Sequence, residues 1–432
     1  MIAFVTLFLG LVAGHQVVGV AVSGPVVTVE LRLDGELASS LSGEPWRTKL
    51  DFGAELTTHE LVAVARDAAG AEVGRAVQQI NVPRSSVEAE ILLDDWQEGR
   101  PRSARLIWHS AELREPESIA VSLDGEILVV DDPGQIELPE VDPDSLHFIS
   151  AELTFPGNKR SSAQSIFGGR YGVEVESELT AVPVVPAKRR LERPQDGRGW
   201  LRRPDGEALR VVAVEEDVAE VLIVRDDAAL PTLQRLERTL RREKPRSHHR
   251  GGLAPADRLF LTSARAVVAA HAEVDYELYP ISRSFGLEDV SLPRALAVVE
   301  VSAEGTTEQR LSDAVAVAGV RAAAGGRRRA VLLVVSDCAE RTGRWTGESV
   351  RRFLAELRVP LEVWVTRRLD REAGGFCRGA LRLKGTGSYL AAHDRMRRLL
   401  AKQQILWVEG RHLPREILLT DAALATEVVQ EN

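Results

Sequence analysis

The spacing of apolar residues changes once along this chain, near residue 185, and that change limits the folds open to it. Before it, apolar residues fall at every second position, as in "VVTVELRLDGE" (26–36) and "HELVAVARDAAG" (59–70). Period two is the signature of a strand with one face buried. Asp-Gly pairs punctuate these runs, as tight hairpins require. After it, fully apolar runs such as "RAVLLVVSD" (329–337) alternate with helical patterns such as "TGESVRRFLAELRV" (346–359). There Val350, Phe353, Leu354 and Leu357 share one face. The first style predicts antiparallel sandwiches, and the second an α/β layer with a mostly parallel, doubly wound sheet.

The β-rich part carries a weak internal repeat. "LRLDGEL" (31–37) returns as "VSLDGEI" (121–127), "HELVAVARDAAG" as "HFISAELTFPG" (147–157), and "QQI" (78–80) as "QSI" (164–166). Two immunoglobulin-like sandwiches explain it: one over 25–84 and a second over 85–185, enlarged by an inserted hairpin at 91–110. His59 and His147 fall at equivalent places, where sheet packing or edge capping is the expected role. Residues 186–209 are rich in Pro, Gly and charge and read as a linker with Trp200 as its anchor. The α/β domain then spans 210–410, and 411–432 form a tail.

A net charge of −9 provides no global field for nucleic acid, and 5% aromatic residues provide few stacking platforms. No later segment is apolar enough to span a bilayer. The opening "MIAFVTLFLGLVAGHQVVGVAVSG" (1–24) has the length and small-residue ends of a signal peptide, although no Lys or Arg precedes its apolar run. Export to the periplasm or the exterior is the expectation; a buried first strand in a cytoplasmic protein is the alternative.

"VLIVRDDAAL" (221–230) takes a buried strand into Asp226 and Asp227, the carboxyl-end position where α/β sheets build their sites. The order of parts resembles the von Willebrand factor A (VWA) family, in exported bacterial proteins that carry such a domain behind β-sandwich modules. The resemblance rests on 329–366, on "EGTTEQRLSDAVAVA" (304–318) and on "GTGSYLAAHDRMRRLLAKQQILWVEG" (385–410). Many members hold Mg²⁺ with Asp-x-Ser-x-Ser after the first strand, a Thr from a second loop and a distal Asp. Carried over, Asp226 matches the first Asp, Thr306 or Thr307 the Thr, and Asp337 the distal Asp, while Ala228 and Leu230 replace both serines. Mg²⁺ wants six hard oxygens, so the resemblance implies a degenerate site with no resident cofactor, or at most Mg²⁺ held weakly by Asp226, Asp227 and Asp337 with extra waters. It also brings Cys338 and Cys377 to one edge of the sheet, where a disulfide is plausible. Arg344, Trp345 and Tyr389 take the family position of partner contacts.

The function so implied is a non-enzymatic protein-binding or scaffold protein of the cell envelope. One alternative is a metal-assisted or cysteine hydrolase using Asp226, Asp227, Asp337 or Cys377; another is a cytoplasmic VWA-like assembly factor. "GFCRG" (375–379) has the spacing of a nucleophile elbow but lacks the preceding strand. His248 and His249 read as a surface loop, and "GTGS" (385–388) as a helix start with Ser388 as cap.

Overall fold

The computed structural model describes residues 2–6, 8, 10–22, 25–82, 87–97, 100–110, 115–124, 126–142, 146–155, 159–168, 179–186, 191, 199–215, 218–242, 257–271, 274–282, 285, 292–299, 301, 306–324, 326–338, 343–367, 375–410, 412–420 and 425–426. The chain divides into two compact units, residues 84–178 and the remainder.

Residues 2–80 form a two-sheet antiparallel sandwich of immunoglobulin type. One sheet orders Ile2–Phe4, His15–Val22 and Arg47–Asp51; the other orders Glu36–Leu41, Thr28–Leu33, His59–Arg66 and Glu72–Ile80. Period two puts Val18, Val29, Leu31, Leu61 and Ala63 in the space between the sheets, all fully buried. Each large aliphatic enclosed this way contributes about 1.5–3 kcal/mol before conformational entropy is counted. The segment expected as a leader enters this sandwich. Its residues supply the first two strands, and Ile2, Val12, Val18 and Val20 are buried in this core. Asn81 fastens the intervening turn, accepting the Val12 N–H and donating to the Val12 carbonyl, both at 2.7 Å.

Unit 84–178 repeats the plan. Glu126–Leu128, Ser118–Leu123, Leu146–Phe155 and Lys159–Gly168 make one sheet; Ile136–Glu137, Arg100–Ser110 and Val87–Gln97 make the other. The inserted hairpin expected at 91–110 is therefore no insertion: it is the first strand pair of this sandwich.

The α/β body follows. A five-stranded parallel sheet runs in the order Arg258–Thr262, Ala219–Arg225, Arg328–Val335, Leu361–Val365 and Leu381–Arg382. Helices α3 (Leu311–Ala324) and α4 (Gly347–Glu356) cover one face against Leu222, Val224, Val331 and Leu333. Helices α1 (Leu230–Arg242), α2 (Leu292–Val298) and α5 (Thr386–Lys402) cover the other against Val221, Ile223, Leu332 and Val334. Burial on both faces is why these strands read as continuous apolar runs. The threonine loop expected at 304–307 ends in a strand, Thr306–Gln309, which pairs with Arg265–His271.

Two further expectations fail together. "ILWVEG" does not close the parallel sheet; Gln404–Glu409 lies between Val211–Glu215 and Leu179–Pro186 in a separate antiparallel sheet. Parts of the expected linker and tail form strands: Leu201–Arg202 pairs with both Ala208–Leu209 and Leu418–Leu419. Leu201, Leu209 and Ile417 are buried beside Val182, Val184 and Leu406. An apolar strand pattern states burial but not the partner, and this β layer is assembled from segments 200 residues apart.

Candidate functional site

In the parallel sheet the chain leaves Ala219–Arg225 towards Arg258–Thr262 on one side and returns as Arg328–Val335 on the other. Ligands of open α/β sheets gather at such a switch point, beyond the carboxyl ends of the strands. Asp226 and Asp227 end one strand there, and Ser336 and Asp337 end its neighbour.

Asp226 is fully buried, and its carboxylate is committed to the fold. Oδ1 accepts the Ala228 N–H at 2.9 Å, capping the short turn into α1. Oδ2 accepts the Ser336 hydroxyl at 2.8 Å and the Ser336 N–H at 3.1 Å. The Asp226 N–H donates to the Val334 carbonyl at 2.9 Å. This carboxylate is a clasp between two strand ends.

The other acids are similarly engaged. Asp227, half exposed, pairs with Arg265 at 2.9 Å. Asp337 Oδ2 lies 3.3 Å from the Ser336 hydroxyl. Asp313, in the first turn of α3, is buried, and Oδ1 accepts the Arg344 N–H at 2.9 Å. Burial pushes the Asp313 carboxyl above its ordinary range, against the pull of the Arg344 and Trp345 N–H groups and the Arg310 charge. Gly343 allows that approach, since a Cβ there would clash with the Ser312 hydroxyl. The side chains of Thr306 and Thr307 lie outside the described residues, as do His248 and His249. Among the described residues no group of three or more His, Cys, Asp or Glu is placed to hold a metal ion.

Cys338 and Cys377 are joined in a disulfide with Cα atoms 5.8 Å apart. Cys377 therefore has no thiol to act as a nucleophile, and it ends the short turn Gly375–Cys377. Arg351 Nη2 donates to the Phe376 carbonyl at 3.0 Å and holds the same turn from α4.

The three expected partner contacts do not stand together. Tyr389 is buried against Trp364, ring centroids 5.9 Å apart, and burial raises its phenol well above the usual range. Its place was readable: Tyr389, Ala392, Met396 and Leu400 fall on one helical stripe. Arg344 lies over the Trp345 ring at 4.9 Å and reaches the Leu11 and Ala13 carbonyls of the first sandwich at 3.4 and 3.5 Å. Its contact in this chain is an internal one. The spacing did not point to Ser336 as a clasp or to Asp313 as a loop anchor, because both roles depend on which strands are neighbours. Ser388, expected as the cap, is instead the third residue of α5, whose N-cap is Gly385; its hydroxyl accepts the Lys384 and Gly385 N–H groups.

No family model matches the chain, and no curated protein is similar to it in sequence. Among solved structures, the fibronectin(III)-like modules of Clostridium thermocellum CbhA are 20% identical, over 18% of this chain and 93% of that one, with a TM-score of 0.17. The human COPII-coat protein Sec24c is 8% identical over 48% of this chain and 42% of that one, with a TM-score of 0.25. A structure concerned with host-cell-surface retention of a bacterial ice-binding adhesin is 10% identical over 45% and 74%, with a TM-score of 0.15. Among the described residues no helix is long and apolar enough to cross a membrane.

Proposed function

We propose that this chain is a non-enzymatic protein-binding or scaffold protein of the bacterial envelope, in which a VWA-like α/β body works without a bridging cation. The observation that carries the reading is the Asp226 clasp. Both oxygens of the leading carboxylate are occupied by Ala228 and Ser336, in a fully buried position. A cation there would have to displace three hydrogen bonds and find hydroxyl ligands where Ala228 and Leu230 stand. The sandwich modules suit presentation of a binding surface, and the Cys338–Cys377 bridge suits an oxidising, exported location.

One observation favours the cytoplasmic assembly-factor reading: the first 22 residues contribute strands and buried side chains to the sandwich. The amino-terminal sequence of the native protein and its thiol count separate the two. An intact Met1 with two free thiols supports the cytoplasmic reading, and an oxidised pair the exported one.

The metal-free part is tested by thermal unfolding of the full chain with Mg²⁺, Mn²⁺ or Ca²⁺, beside Asp337→Ala and Asp226→Ala/Asp337→Ala variants. A ligand that binds only the folded state must raise its stability by mass action. No saturable shift at millimolar metal is expected; a shift abolished by Asp337→Ala overturns the reading.

A further inference from the structure

A cavity of about 360 Å³ lies at the carboxyl ends of the adjacent strands Ala219–Arg225 and Arg258–Thr262, beside the Asp226 clasp rather than within it. That volume is at the small end of ligand-sized pockets. Its lining is chemically uneven. Among the described residues, Arg225 and Arg265 bring two guanidinium groups to it and Asp227 a carboxylate. Arg225 is buried, and its Nη1 is anchored on the Leu296 carbonyl at the end of α2, 2.7 Å away. Arg265 is partly exposed at the rim, where the Ser263 hydroxyl accepts its N–H at 3.1 Å and donates to its carbonyl at 2.9 Å, fixing the bend. The remaining walls are largely apolar, supplied by Leu230, Leu261, Ala264 and Val301.

We infer that this cavity binds a carboxylate carried on a short aliphatic stem, the chemistry shared by a glutamate side chain and a free dicarboxylate such as glutarate. Guanidinium groups match carboxylates in geometry and charge, and half-burial weakens the screening that makes surface pairs feeble. Apolar walls give the methylene stem a place that water would otherwise fill. Inorganic phosphate lacks the methylene stem that the apolar walls enclose and is disfavoured. The incoming carboxylate competes with Asp227 for Arg265, so Asp227 weakens the site it borders. The inference deepens the protein-binding reading by naming the group a partner presents, and rests on that reading only for the partner as source.

The test uses the full chain at constant ionic strength, titrated by ligand-observed NMR with glutarate, its neutral isostere glutaramide, inorganic phosphate, and the capped peptides Gly-Glu-Gly and Gly-Gln-Gly. Millimolar binding of glutarate is expected, with neither glutaramide nor phosphate competing for it. Arg265→Gln and Asp227→Asn change side chains that are about half exposed, so both variants keep the fold. Arg265→Gln is expected to weaken glutarate binding about tenfold, and Asp227→Asn to tighten it several-fold, a pair of opposite signs that a nonspecific salt effect does not give. Equal binding of glutarate and glutaramide, or an affinity unmoved by Arg265→Gln, overturns the inference. Binding of the Glu peptide but not the Gln peptide supports a protein side chain as the source. Glutarate binding without peptide binding upholds the cavity's chemistry and overturns the partner as its source.

Discussion

His147 holds its Nδ1 2.6 Å from Asp124 Oδ2, and His59 makes the same pairing with Asp34 at 2.7 Å. In each sandwich the Asp sits in the hairpin turn with positive φ, 54° at Asp34 and 52° at Asp124, and the His begins or nearly begins the strand that returns beside it. Asp is among the residues that tolerate this left-handed conformation, and the turn aims its carboxylate at the neighbouring strand. The repeat that places "LDGE" 23 to 25 residues before a histidine is thus the trace of a side-chain clip built twice. Each clip closes its own sandwich.

The clips give opposite dependences on pH. Burial lowers the His147 pKa, but the Asp124 hydrogen bond, the Asp142 carbonyl and their charges outweigh it, so the net shift is upward. A raised base stabilises the fold fully below its unfolded value near 6.5 and loses that contribution as pH rises through the folded value. For Asp34, burial raises the pKa, yet the His59 and Glu60 hydrogen bonds and Arg415 bring it net below 3.8. Its contribution is therefore present above 3.8 and lost as pH falls through the folded value. In an NMR titration, Asp124→Asn is expected to lower the His147 pKa and to remove roughly 1 kcal/mol at pH 6, with Asp124 partly solvent-screened. An unchanged His147 titration would sink this account.

Replacing Asp226 tests the clasp directly. Asp226→Ala leaves the Ala228 N–H, the Ser336 N–H and the Ser336 hydroxyl without their acceptor in a fully buried corner. A loss of about 3 kcal/mol in urea unfolding is expected, against about 1 kcal/mol for Ser336→Ala, which removes a donor and leaves the carboxylate two N–H partners. Equal, small losses would show that the carboxylate does not hold the strand ends together.

What the sequence disclosed follows from what periodicity measures. Alternation in Thr28–Leu33 and the continuous run in Arg328–Val335 report half and full burial, and both strands form as expected. The amino-terminal run reads either way because a buried strand and a leader segment are both short and apolar; here Ile2 and Val12 pack with Val18 and Leu31. Partner choice is equally invisible: nothing in "ILWVEG" tells a parallel edge from an antiparallel centre. At the corner, Asp226 was legible as a position and not as a role. That role is set by Ser336, 110 residues later, arriving on the adjacent strand. The disulfide was reachable through the expected neighbouring of two strand ends, which the sheet order provides.

The Cys338–Cys377 bridge closes a separation of 39 residues. Chain-entropy reasoning for a loop of that size gives a stabilisation of about 4 kcal/mol at most. Cys338→Ser/Cys377→Ser is expected to lower the denaturation midpoint of the α/β body, and reductant to lower the wild-type midpoint towards it. The bridge is checked by peptide mapping without reductant, in which residues around 338 and 377 must travel as one cross-linked species. Two separately alkylated cysteines in the folded protein would remove both the bridge and its support for an oxidising location.

The first sandwich is fastened to the α/β body through Glu356 at the end of α4. Its Oε2 accepts the Thr57 hydroxyl at 2.8 Å, and Oε1 accepts the Thr58 N–H at 3.0 Å together with the Thr58 hydroxyl. Thr58 is fully buried, and Leu56 beside it joins the core formed by Val350, Phe353 and Leu354. Exposed pairs such as Glu55–Arg352 surround this contact and add little. Glu356→Ala strands three donors, so about 2–3 kcal/mol of coupling should be lost, and Glu356→Gln, which keeps one oxygen, should lose less. Hydrogen exchange reads the result at two places. In the wild type, His15–Val22 and Arg328–Val335 are expected to open together; in Glu356→Ala the sandwich strand should exchange faster while the sheet strand keeps its protection. Parallel acceleration of both strands would mean that Glu356 stabilises the helix end alone and that the docking is carried by Leu56.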